Sequence, residues 1–167
     1  MPSQYSQILG IELIGDGEQA GTWGATTNRN LGTLLEQSIA GMTSVLLLDA
    51  DITLTTTNGA LNEARSAILL VEGTATATRD VIIPARTKEY TVSNFSTGSQ
   101  SIRIKTATGA AITITNGVTA HVYCDGADTY LVSSNQTSSS GTVTSITASA
   151  PLTGGVITGS GSIGMAT

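Results

Sequence analysis

The sequence has 167 residues and a formal net charge of −5, from 7 basic and 12 acidic side chains. That length predicts one domain with tails, and the acidic balance, with Lys and Arg scattered, excludes a nucleic-acid binder, whose affinity comes from neutralised phosphates. Charged residues make up 11%, aromatics 4% and apolar residues 40%, where soluble domains carry about a quarter charged; a surface of methyls and hydroxyls is expected, which associates with other subunits and offers few catalytic groups.

The opening MPSQYSQILG has no basic stretch followed by a long apolar run, so no signal peptide is expected. Ile8, Leu9, Ile11, Leu13 and Ile14 are too few for a long helix and predict a short strand or a hydrophobic hook. Residues 15–41, GDGEQAGTWGATTNRNLGTLLEQSIAG, are the segment around which the rest is organised. Glycines flank Trp23 on both sides and permit positive φ, so a bent, ordered loop is predicted that presents the indole at a contact or buries it. A helix follows. Asn28 or Asn30 is expected to cap its start. Leu31, Leu34, Leu35 and Ile39 form one apolar stripe, and Gly41 stands where a left-handed terminating residue is expected. A helix of about three turns is held by packing rather than by propensity.

After Gly41 the chain reads as strands and turns. Apolar or alternating runs fall at 43–48, 52–56, 67–72, 79–84, 88–94, 101–105, 111–115, 118–124 and 129–132, about eight or nine strands in all. Asn58-Gly59, Asn116-Gly117 and Asp125-Gly126 are turn signals, and Asn116-Gly117 leads directly into the next strand as a hairpin turn does. ALNEAR at 60–65 predicts a single helical turn with Ala60, Leu61 and Ala64 facing inward. Short strands in quick succession predict an all-β fold with one short N-terminal α-helix: a β-sandwich or jelly-roll-like domain with extended N- and C-terminal arms. The expected organisation is an arm, loop and docking helix over 1–41, the β domain over 42–133, and a Gly/Ser/Thr-rich linker and extended arm over 134–167. That last stretch cannot bury enough apolar surface alone to offset its ordering entropy.

Residues with chemistry to offer are few. His121 and Cys124 lie three apart on one predicted strand, so alternation sends them to opposite faces and argues against a nucleophilic pair. The single Cys124 also excludes an intrachain disulfide and an all-Cys metal site. Asp49 with Asp51, and Asp125 with Asp128, lack the ligand number that calcium needs and read as turn residues. No catalytic or metal-binding residue and no cofactor is assigned. No apolar stretch approaches the ~20 residues that span a bilayer, so no membrane insertion is expected. The candidate assembly contacts are Trp23, Asn28, Asn30, Leu31, Leu34, Leu35 and Ile39.

Gly17-Glu18-Gln19, Gly21-Thr22-Trp23-Gly24, Thr26-Thr27-Asn28 and Asn30 through Gly41 compose the motif GEQxGTWGxTTNxNLGTLLEQxIAG. This resembles the N-terminal motif of tailed-bacteriophage virion proteins of the tail fibre or tail-associated type. Asn58-Gly59-Ala60, Asn62-Glu63-Ala64-Arg65 and Val122 through Gly126 resemble later parts of the same proteins, and GTVTSITASAPLTGG resembles segments of phage fibre shafts and collars. The resemblance implies a non-enzymatic structural protein made in a host cytoplasm and located in the virion. It implies a homotrimer that contacts other virion proteins of the tail or capsid. One shaft-like unit alone favours a short fibre, an adaptor, or a decoration (cement) or head-fibre protein over a full tail fibre. A module that binds a host surface glycan is the alternative of a different class; it requires exposed aromatics, and the chain has Trp23, Phe95 and 4 Tyr.

Overall fold

The computed structural model describes residues 4–135, 146–150, 152–153, 156–157 and 162–165. The chain divides into two compact units, Met1–Gln136 and Thr137–Thr167. The fold is all-β with one short helix, as its alternating runs predict.

The first unit opens with two short antiparallel strands, β1 (Gln4–Tyr5) and β2 (Glu12–Leu13). The helix, α1, is continuous over residues 23–40. It is α-helical at Trp23–Arg29, π-helical at Asn30–Leu35 and α-helical again at Glu36–Ala40. It begins earlier than the Asn signals predict. Gln19, at φ 57°, turns the chain so that its carbonyl accepts from the N–H groups of Thr22 and Trp23 at 2.8 and 2.9 Å. Neither Asn28 nor Asn30 caps the start, because both lie inside the helix; the N-cap residue is Thr22, which makes no side-chain capping bond. Gly41 is extended, with φ −70° and ψ 140°, rather than left-handed. Ala40 is therefore followed at once by the first strand of the body.

Nine strands build the body: β3 (Met42–Leu48), β4 (Ile52–Thr53), β5 (Ile68–Thr74), β6 (Arg79–Ile82), β7 (Thr87–Asn94), β8 (Ile102–Lys105), β9 (Ile112–Ile114), β10 (Thr119–Asp125) and β11 (Thr129–Ser134). They form a five-stranded sheet in the order β11-β10-β7-β5-β3 and a four-stranded sheet in the order β4-β6-β8-β9. The chain alternates between the sheets from β3 to β8, so three turns of a coil stack on one another. Within the coil β3–β5, β5–β7, β4–β6 and β6–β8 all pair in parallel. Antiparallel β9, β10 and β11 close it. The two sheets share one core, as sandwich layers do, but parallel stacking takes the place of successive hairpins. Asn116-Gly117 joins β9 in one sheet to β10 in the other, so it turns a corner rather than closing a hairpin. Asp125-Gly126 does close one, between β10 and β11.

Alternation selects the core. Val45 and Leu47, Leu69 and Val71, Tyr90 and Val92, and Val122 and Cys124 face inward from one sheet, against Val81, Ile102, Ile104 and Ile114 from the other. Burial of each large aliphatic side chain contributes about 1.5–3 kcal/mol. Tyr90 is the one aromatic in this cluster, and its hydroxyl donates to the Ala64 carbonyl at 3.0 Å. At the corners after the five-stranded sheet the rungs approach closely. A Cβ on Gly98, at φ 97°, would stand 2.1 Å from the Ala75 carbonyl oxygen. ALNEAR supplies the 3-10 turn Glu63–Arg65. Its Ala64 is buried as expected, while Leu61 is exposed.

The N-terminal segment, expected as an arm, belongs to the same compact unit as the body. Hydrogen bonds explain this: Arg65 donates to the Leu9 carbonyl, Arg29 to the Gly59 carbonyl, and Gln37 to the Asn62 carbonyl at 3.0 Å. In the second unit β12 (Ile146–Thr147) pairs with β14 (Val156–Ile157), and β13 (Leu152–Thr153) with β15 (Gly164–Met165), all antiparallel. The Ser/Thr-rich linker lies largely outside the described residues.

Candidate functional site

The helix residues expected to make contacts do not form one stripe. Leu34 is fully buried and Leu35 half-buried, whereas Trp23, Leu31 and Ile39 are 61%, 57% and 70% exposed. The stripe presumed 3.6 residues per turn. The π segment closes i→i+5 bonds and winds wider, which rotates the positions beyond Asn30 off the predicted face. Asn28 is exposed. Asn30 is buried and engaged: its Nδ2 donates to the Glu12 carbonyl at 2.8 Å, and its Oδ1 accepts from the Glu12 N–H at 3.3 Å. It therefore acts within the fold. Trp23 is the first residue of the helix, presented to solvent rather than held in the glycine loop.

A second apolar surface lies on β3. Val45 and Leu47 point into the core, while Met42, Leu46 and Leu48 are 65%, 57% and 78% exposed on the other face. β3 is also the last strand of its sheet. Gly41 accepts from the Ile68 N–H and Asp49 donates to the Thr74 carbonyl, so the odd-numbered residues pair with β5. The main-chain groups of Met42, Ser44, Leu46 and Leu48 therefore point away from the sheet. No Pro, Lys or Arg blunts this edge, as such residues do on strands that stay unpaired. The sequence hid this surface because TSVLLL is aliphatic on both faces, and period-2 alternation is invisible in such a run.

Further apolar side chains line a cleft. Ile8, Leu9 and Ile11 form one wall, Leu35 and Ile39 of the helix a second, and Thr87–Glu89 of β7 the third, around about 830 Å³. Lys88 reaches over the Tyr90 ring, 4.6 Å from its centroid. Burial, and then the nearby Arg65 guanidinium, hold the Lys88 ammonium down at about 8. Burial raises the Tyr90 phenol well above its ordinary value.

The acidic pairs hold the coil together. Asp49 accepts from the Thr76 N–H at 2.8 Å, the Thr76 hydroxyl at 2.7 Å and Arg79 Nη2 at 2.7 Å. The Thr76 N–H and then Arg79 lower its carboxyl to about 2. Asp51 accepts from the Asp80 N–H at 2.8 Å, and Asp80 accepts from Arg103 Nε at 2.6 Å. Asp125 accepts from the N–H groups of Ala127 and Asp128, closing its turn. Cys124 is fully buried, while His121 faces Glu89 across the sheet surface at 3.5 Å. On that surface Tyr123 and Tyr130 stack with centroids 4.9 Å apart, both partly exposed. Among the described residues no group of three or more His, Cys, Asp or Glu is placed to hold a metal ion, and no helix is long and apolar enough to cross a membrane. The chain matches no family model, no curated protein and no solved structure.

Proposed function

We propose that this chain is a structural protein of a tailed-bacteriophage virion, a tail fibre or tail-associated adaptor that works by assembling with other proteins. The observation that carries the assembly reading is the β3 surface, where exposed aliphatic side chains coincide with an open sheet edge. Burying such side chains gains about 25 cal/mol per Å² before association costs. An added strand satisfies the outward main-chain groups at the same time. Trp23 supports the reading, since exposed Trp is enriched among interface anchors. The virion assignment rests on the 17–41 motif. The body supplies a rigid aliphatic coil and the exposed residues supply the contacts, in a homo-oligomer of which the trimer is the form that the resemblance implies.

Electron microscopy of particles carrying a labelled copy tests this directly. Label at the tail is the expected result. Label over the capsid faces transfers the protein to the decoration or head-fibre class, and particles without label remove it from the virion. One observation favours a second reading, a host-glycan-binding module: the Tyr123–Tyr130 stack is exposed on a sheet face beside Asp125, which accepts from the Tyr130 hydroxyl at 3.2 Å. Binding of purified protein to a glycan array, lost in Tyr123→Ala, supports that reading, and silence on the array removes it.

A further inference from the structure

The cleft beside Lys88 has a chemistry that assembly through β3 does not use. Its floor adjoins a water-sized space of about 20 Å³ lined by Arg65, Arg86 and Lys88, which are 3 of the 7 basic residues in the chain. Each hydrogen bond these cations make among the described residues ends on a main-chain carbonyl. Arg65 donates to Leu9, Thr57 and Ala60, Arg86 to Ile8 at 3.2 Å, and Lys88 to Glu89 at 3.3 Å. The ion pairs between described residues lie elsewhere, at Arg79–Asp49, Arg103–Asp80 and His121–Glu89. The carboxylate that acts on Lys88 is that of Glu89, which is 72% exposed and turned toward His121. Arg65 is buried and Arg86 and Lys88 half-buried, so three cations line one space with carbonyl partners and no buried counter-charge, an arrangement that favours an anion.

What lies above them is aliphatic. Ile8 and Ile39 are 52% and 70% exposed on facing walls. The main chain of the 6–11 turn is already engaged: Ser6 donates to the Ile11 carbonyl at 2.8 Å and Gly10 to the Ser6 carbonyl at 3.0 Å. The helix wall bonds internally. These two walls therefore offer a ligand methyl groups rather than a ladder. The volume, about 830 Å³, falls in the range of clefts that take a small organic molecule.

We propose that this cleft binds a free aliphatic carboxylate of fatty-acid type, with its chain between Ile8 and Ile39 and its carboxylate on the Lys88 ammonium, backed by Arg86 and Arg65. A charge-assisted contact to the ammonium sets the head-group preference, and the two isoleucines set the affinity for the tail.

Isothermal titration of the full chain with decanoate, and with decyltrimethylammonium as the probe of equal tail and opposite charge, tests the assignment. Saturable binding of decanoate is expected, with the cation about tenfold or more weaker. Lys88→Met should cut the preference at least severalfold, Arg86 and Arg65 holding the remainder, and Ile39→Ser should weaken binding of decanoate while leaving it preferred over the cation. Equal binding of both probes, a preference undiminished in Lys88→Met, or no saturable decanoate binding overturns the proposal. So does sedimentation showing that decanoate only dissociates an oligomer, because a second copy then fills the cleft. The head-group comparison is made on the unaltered protein, so it stands even where a variant fails to fold.

Discussion

The Asn30 carboxamide pairs with the main chain of Glu12 as a neighbouring strand would, donating to its carbonyl at 2.8 Å and accepting from its N–H at 3.3 Å. One side chain in the π segment thereby fastens β2 to the helix. Replacing it with Ala leaves both Glu12 groups without that partner, and a lost buried pair costs about 1–3 kcal/mol. Asn30→Ala should lower the melting temperature and speed proteolysis within residues 4–13, read by limited digestion and mass spectrometry. Asn28→Ala, on the exposed face, should change neither.

That contrast marks where the sequence was legible. Nine runs of strand character stood out, and the residues facing the core follow from alternation, as Tyr90, Val92 and Val122 show. Their partners do not follow, because alternation fixes a face and says nothing of whether the neighbouring strand runs parallel. Coil stacking depends instead on the corners, where Asp49 at φ 56° and Gly98 at φ 97° let successive rungs close up. Asn30 read as a cap because Asn accepts from free N–H groups at helix starts. Here a strand remote in sequence claims its side chain, and no local pattern announces that. Exposure was not legible from residue type: Trp23 and Ile39 are apolar and exposed, whereas Leu34, of the same type, is core.

Asn94 is the polar counterpart inside the body. It is fully buried; its Nδ2 donates to the Gln100 and Ile114 carbonyls at 3.0 Å each, and its Oδ1 accepts from the Ser96 N–H at 3.2 Å and the Ser96 hydroxyl at 2.7 Å. It ties the end of β7 to β9 in the other sheet. Asn94→Leu has similar bulk and cannot make any of these bonds. A loss of about 2–4 kcal/mol is expected, in the range of broken buried networks. Urea denaturation should show a lower midpoint at unchanged slope.

Gly98→Ala tests the corner geometry. A methyl there would stand 2.1 Å from the Ala75 oxygen at a φ of 97°, which side-chain-bearing residues rarely adopt. Backbone must shift to relieve the contact, so destabilisation of at least about 1–3 kcal/mol is expected. Gly117→Ala is the control with comparable φ, 77°, and open space around it. Its cost should be smaller, and equal losses at both positions would remove close rung packing as the cause.

Two charged groups make stability rise with pH, one in the acid range and one in the basic range. Lys88 falls from 10.5 to about 8 in the folded chain, so between those values the unfolded state binds more protons and stability rises with pH. The melting temperature should climb from pH 8 toward 10, and Lys88→Met should flatten that climb. Beyond pH 10 the buried Tyr90 phenol reverses the trend, since it ionises more readily unfolded. Asp49 is lowered from 3.8 to about 2. Its contribution is present above pH 3.8 and is lost as pH falls toward 2. Asp49→Asn should therefore lower the melting temperature at neutral pH and narrow its gap to wild type in acid.

The edge of β3 allows folding to be tested apart from the proposed assembly. Leu46 and Leu48 point away from the core, so placing Lys at either position costs the isolated fold little; exposed substitutions usually fall within about 0.5 kcal/mol. The same change puts a charge where an added strand would lie, which is how natural sheets keep their edges unpaired. Leu46→Lys should retain the wild-type melting temperature, while sedimentation velocity shows less self-association and labelled particles carry less of the protein. Val45→Lys, one residue away and facing inward, should instead unfold the chain. If Leu46→Lys assembles as wild type does, the contacts lie elsewhere, and Trp23→Ser on the first turn of the helix becomes the variant that decides whether the N-terminal segment carries them.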